Sequence, residues 1–114
     1  MKTIPFALHG ALLVLALTAA TGPTAAATTT TTTTTTVHIK NFQYVPPAIT
    51  IHAGERITFV NDDDEAHTVT ANDKSFDSAG LDTNDKWQHV FSKTGTYRYF
   101  CQMHPYMKGT VTVI

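Results

Sequence analysis

One cysteine in 114 residues excludes an internal disulfide, so Cys101 must be either a free thiol or a ligand. No stretch keeps a helical period for three turns, which argues against a bundle and for an all-β domain. Clustered basic charge is also missing. From Val37 to Ile114 there are five Lys and two Arg against nine Asp and Glu, a net −2, so no nucleic acid partner is expected. No nucleophile paired with a base and no second cluster of metal-binding side chains is visible, so an enzyme is not expected. The one extended apolar run, Ile4 to Ala20, is interrupted by Pro5, His9 and Gly10, and its clean part, Gly10 to Ala20, is too short to span a bilayer comfortably.

What is present falls into three segments. A positive start at Met1-Lys2, the apolar run and the small residues Ala25-Ala26-Ala27 read as a secretory signal peptide over residues 1–27. If it were retained, the same segment would tether the chain to a membrane. Residues 28–36 are an unbroken threonine run with nothing to bury, and they read as an exposed linker rather than a strand, open to glycosylation as a stalk. Residues 37–114 form the domain. Its 78 residues lie near the size at which a single core benefits from a metal staple.

Short alternating segments divide this domain. Val37-His38-Ile39, Ala48 to Ile51, Arg56 to Val60, His67 to Ala71, Trp87 to Phe91, Tyr97 to Phe100 and Gly109 to Val113 carry β-branched and aromatic residues and are separated by turn residues. Pro46-Pro47 ends or bends a further segment, since proline cannot donate to a central ladder. Ala53-Gly54-Glu55 and Lys93-Thr94-Gly95 mark tight connections, and Asn72 to Asp85 wanders between sheets. Seven to eight strands at this spacing predict a Greek-key β-sandwich or barrel.

The chemistry concentrates near the C-terminus, in Cys101-Gln102-Met103-His104-Pro105-Tyr106-Met107. A thiolate, an imidazole and a thioether at every third residue form a soft, mixed ligand set. Pro105 holds the backbone of His104 extended, so one tight loop can turn all three inward. Two histidines with one thiolate and a weak axial methionine describe an electron-transfer copper site, and His67, after the acidic run Asp62-Asp63-Asp64-Glu65, is the best second histidine. Zinc is the rival ion, but a thioether is a poor zinc ligand and only one thiolate is present. Met103 reads as a surface apolar residue, His89 as a packed histidine, and His38 and His52 as non-ligands with no soft partner nearby.

Residues 37–114 resemble the cupredoxins, the small blue (type 1) copper proteins, and are most similar to the amicyanin and plastocyanin branch. The resemblance rests on Asn61 six positions before His67-Thr68-Val69, on Phe91 to Cys101, and on His104-Pro105-Tyr106-Met107-Lys108-Gly109-Thr110-Val111. It implies a cupredoxin-like sandwich with one copper ion cycling between Cu(I) and Cu(II). His67, Cys101 and His104 would be the strong ligands and Met107 the long axial one. The resemblance gives Asn61 the task of hydrogen-bonding the backbone near Cys101. Two departures stand out: Ala66 where a proline usually precedes the first histidine, and His89 where an inward aromatic is typical.

The implied function is one-electron transport outside the cytoplasm, with an extracytoplasmic copper carrier or buffer as the alternative. Redox partner proteins would dock on a rim formed by Met103, Pro105 and Tyr106 around His104. The acidic run is either a solvated turn or a surface that steers a basic partner. The chain is expected to be an exported monomer, periplasmic or extracellular, touching a membrane only through a retained N-terminal segment.

Overall fold

The structure, a computed structural model, describes residues 3, 10, 15–29, 31 and 33–114. Most of the apolar run expected to form the leader lies outside the described residues. Residues 15–29 are exposed and belong to no strand or helix, and among the described residues no helix is long and apolar enough to cross a membrane.

Among the described residues, eight strands build two sheets, as the alternation predicts. They are β1 (Thr34–Lys40), β2 (Gln43–Val45), β3 (Ala48–Ile51), β4 (Arg56–Asn61), β5 (Thr70–Ala71), β6 (Lys86–Val90), β7 (Gly95–Phe100) and β8 (Lys108–Val113). One sheet has the order β2-β1-β4-β6 and the other β3-β8-β7-β5. β1 runs parallel to β4, β3 runs parallel to β8, and the remaining pairs are antiparallel. Period-two burial sends Val37 and Ile39 of β1, Ile57 and Phe59 of β4, and Val111 and Val113 of β8 into the space between the sheets. Phe76, Phe91 and Tyr99 fill the middle of that space, which makes an aromatic core.

Both tight connections cross from one sheet to the other. The β3–β4 turn needs Gly54 at a φ of 91°, in the left-handed region that glycine enters without penalty. Its Gly54 N–H donates to the Phe91 carbonyl at 2.7 Å, and the Phe91 N–H returns a bond to Glu55 at 3.1 Å. This pole of the sandwich is thereby closed. Gly109, facing Tyr99 across β7 and β8, leaves room for that ring; a Cβ there would collide with the phenol.

The linker expectation is corrected at its end. Thr34, Thr35 and Thr36 pair with Arg56, Ile57 and Thr58 as the first half of β1. β4 runs on past the apolar part of β1 and offers free backbone groups there, and β-branched threonine fits a pleated neighbour as well as valine does. The strand expected over His67 to Ala71 is also shorter than its pattern: β5 is Thr70–Ala71, and His67 is held instead by a two-bond bridge to Leu81.

Candidate metal centre

β1, β4 and β7 all end at the pole opposite the two tight connections, and the segments leaving β4 and β7 carry the candidate ligands. The loop after β7 closes on itself: the Cys101 N–H donates to the Met107 carbonyl at 3.2 Å, and the Met107 N–H donates to the His104 carbonyl at 2.9 Å. Within it Cys101 and His104 turn their ligand atoms toward one another. His67 is brought to the same point by its bridge, with its N–H on the Leu81 carbonyl at 3.0 Å and the Leu81 N–H on its own carbonyl at 2.7 Å.

The sulfur of Cys101 stands 3.8 Å from Nδ1 of His67 and 3.7 Å from Nδ1 of His104. These ligand atoms all lie within 4.8 Å of one another. A metal about 2.3 Å from a thiolate and about 2.0 Å from an imidazole nitrogen, with angles near 120°, places sulfur and nitrogen about 3.7 Å apart. The two sulfur–nitrogen distances therefore match those of a trigonal ion. His67 and Cys101 are completely buried, Met107 is buried beside them in the loop, and His104 is half-buried. The set is one thiolate, two imidazoles and a thioether, which suits copper better than zinc.

Thr68 ties the two ligand-bearing segments together. Its N–H donates to the Cys101 sulfur at 3.3 Å, and its hydroxyl accepts the Gln102 N–H at 2.8 Å. A donor on a thiolate stabilises its charge and fixes its direction. Behind it, the Tyr44 hydroxyl donates to the Thr68 carbonyl, and burial pushes that phenol up, keeping it protonated.

Asn61 is completely buried but does not bond the backbone near Cys101, which corrects its expected task. Its Nδ2 donates to the carbonyls of Glu65 and Leu81, both at 2.8 Å, and its Oδ1 accepts the Asp63 N–H at 2.9 Å. Asn61 shapes the loop in front of His67 because β4 ends there, on the His67 side of the site. The contact with Cys101 falls to Thr68, the residue that follows the ligand.

The acidic run is not a uniform turn. Asp62 bonds Nδ1 of His38 at 2.6 Å, Asp64 and Glu65 are exposed, and Asp63 is buried with an oxygen 2.8 Å from Nε2 of His67. Burial works to raise the Asp63 carboxyl. The N–H groups of Phe42 and Asn41 and the ring of His67 outweigh it, leaving the group below the usual carboxylate range. A carboxylate close in sequence to a candidate histidine ligand was the available signal for Asp63. Phe42 offered none: its ring sits edge-on 5.3 Å from His67 and 5.0 Å from His104 only because of the turn it occupies.

The other expected residues stand as follows. Met103 and Tyr106 are 52% and 69% exposed, Pro105 is exposed between them, and the Tyr106 ring lies 6.1 Å from that of His104. His52 is exposed at the far pole. His89 lies between Trp87, stacked at 5.3 Å, and Phe91, edge-on at 4.8 Å.

Comparisons with known proteins agree with this geometry. The cupredoxin-like domain family matches residues 9–113. Amicyanin of Paracoccus versutus is 32% identical over 82 residues, 68% of this chain and 62% of that protein, so the chain spans under two thirds of that relative's length. Amicyanin-alpha of Methylorubrum extorquens is 29% identical over 118 residues, covering 99% of each chain. A purple cupredoxin from Nitrosopumilus maritimus superposes with a TM-score of 0.66 at 31% identity, covering 70% of this chain and 99% of that one. With a two-sheet β-sandwich, a Cys-His-His cluster at one pole and a family match across nearly its whole length, the chain belongs to the cupredoxin-like domain family.

Proposed function

We propose that this domain is a type 1 copper protein that carries single electrons outside the cytoplasm, in which Nδ1 of His67, Sγ of Cys101, Nδ1 of His104 and the thioether of Met107 would hold the metal. The observation that carries the reading is the convergence of two imidazole nitrogens on one thiol at 3.8 and 3.7 Å, in a loop already closed by its own backbone bonds. Copper, when bound, supplies a Cu(I)/Cu(II) couple.

The residues do the rest. The Thr68 N–H and the bridge between His67 and Leu81 fix donor positions, so the protein need not rearrange between oxidation states. Buried Cys101, His67 and Met107 keep water from the metal. His104 alone among the ligands reaches toward the surface, and the rim of Met103, Pro105 and Tyr106 around it is the apolar surface on which a redox partner protein docks. Residues 1–27 direct export, to the periplasm or the cell exterior.

Optical spectroscopy and voltammetry of the copper-loaded protein test this reading. An intense blue thiolate-to-Cu(II) band, abolished by Cys101→Ser, and a reversible one-electron couple are expected. Copper(II) binding without that band would refute the site, and a band with no reversible couple would favour a copper carrier.

A further inference from the structure

Of the four adjacent carboxylates at 62–65, Asp63 alone is drawn into the protein, and its bonds reach two elements at once. Oδ2 accepts from Nε2 of His67 at 2.8 Å and from the Phe42 N–H at 2.9 Å, while Oδ1 accepts the Asn41 N–H at 2.6 Å. Its own backbone is pinned as well, with its N–H on Asn61 Oδ1 at 2.9 Å and its carbonyl accepting the Thr83 hydroxyl at 2.7 Å. The carboxylate is therefore a fixed point.

Asn41 and Phe42, which it holds, have φ values of 52° and 57°. The left-handed region is uncommon for a phenylalanine, and a residue stays there only where its surroundings compensate. Two N–H bonds to one ionised carboxylate provide that compensation. The reward is position: only in this turn does the Phe42 ring lie edge-on to both imidazoles. On the other side, a His67 whose Nε2–H donates to Asp63 has its Nδ1 lone pair turned toward the Cys101 sulfur.

We propose that Asp63 is a positioning residue of the metal centre, setting the tautomer and donor strength of His67 while clamping Phe42 over both histidines. The proposal rests on His67 being a ligand. A carboxylate on the far nitrogen makes an imidazole a stronger donor and adds negative charge near the ion, and both effects favour Cu(II) over Cu(I).

The test compares wild type with Asp63→Asn, Asp63→Glu and Phe42→Leu. In Asp63→Asn the negative charge is gone and an amide N–H can face Nε2–H. Its potential is expected to rise, its Cu(II) affinity to fall roughly 10- to 100-fold, and the slowly exchanging His67 Nε2–H NMR signal of the Cu(I) form to be lost. Asp63→Glu restores part of each. Phe42→Leu keeps the backbone N–H and the His67 signal, which separates the clamp from the charge. An Asp63→Asn protein with wild-type potential and an unchanged His67 proton would overturn the proposal, leaving the residue as a turn fastener. Should that variant not fold, nitrogen-15 shifts of His67 in metal-free wild type decide: a proton on Nε2 supports the proposal and one on Nδ1 overturns it. A wild type lacking the blue band would instead indict the ligand assignment itself.

Discussion

At the scale of single residues, Met107, the thioether proposed to complete the copper site, carries a direct test. Leucine is close to it in volume, so Met107→Leu should cost less than about 1.5 kcal/mol of stability and keep the blue band. Loss of the weak donor disfavours Cu(II), so the potential measured by voltammetry should rise. Met103→Leu, at an exposed site, should leave it unchanged; equal shifts at both positions would place the axial donor elsewhere. The tight spacing of Cys101, His104 and Met107 made the candidate ligands legible in the sequence; of the residues around them, Asp63 was signalled by its place four residues before His67, whereas Thr68 and Phe42 act through loop conformations that no local pattern encodes. His89 makes a separate prediction. Burial against Phe76, Trp87 and Phe91 lowers the affinity of its ring for a proton below the ordinary histidine value. The unfolded chain then binds a proton that the folded one refuses, so stability falls as pH drops through the unfolded histidine range. His89→Phe removes that penalty and should raise the denaturation midpoint more at pH 5 than at pH 8. An equal gain at both pH values would mean that packing alone is responsible.

At the scale of elements, alternation and turn residues marked nearly every strand, because in a two-sheet sandwich each strand has one buried face. Two boundaries were not legible, and for opposite reasons. His67 to Ala71 alternates, yet the segment joins the sheet only at Thr70 because His67 and Thr68 are committed to the candidate metal site. Thr34 to Thr36 has no pattern at all, yet it pairs, because β4 supplies the partner. The second point can be measured. Removing residues 1–33 should leave the urea midpoint of the domain unchanged. Removing residues 1–36 strips three residues from the parallel ladder with Arg56 to Thr58, and with net ladder bonds worth about 0.5–1.5 kcal/mol each it should cost about 1–3 kcal/mol. Identical midpoints for the two truncations would show that the threonine run contributes nothing beyond a linker.

At the scale of the whole molecule, the sandwich has two poles with different tasks. β1 begins opposite Arg56 and ends at Lys40 beside the metal site, so its seven residues, at about 3.3 Å each, separate the emerging N-terminal segment from the copper by roughly 20 Å. Charge is uneven at the metal pole too. Asp62 is bonded to His38 and Asp63 is enclosed, which leaves Asp64 and Glu65 as the free carboxylates of the acidic run. Two such charges about 10 Å from a tripositive ion, screened at 0.1 M salt, contribute on the order of 1 kcal/mol, a several-fold change in encounter rate. Stopped-flow oxidation of the Cu(I) protein can read this with a tripositive cobalt complex as oxidant and with ferricyanide. Asp64→Asn with Glu65→Gln should slow the cationic reaction several-fold at low salt and speed the anionic one. The difference should fade toward 1 M salt, where screening reaches about 3 Å. Deleting residues 1–33 should alter neither rate, because the tether departs from the far pole. Unchanged rates and salt slopes in the double variant would make the acidic run a solvated turn and leave docking to the apolar rim around His104.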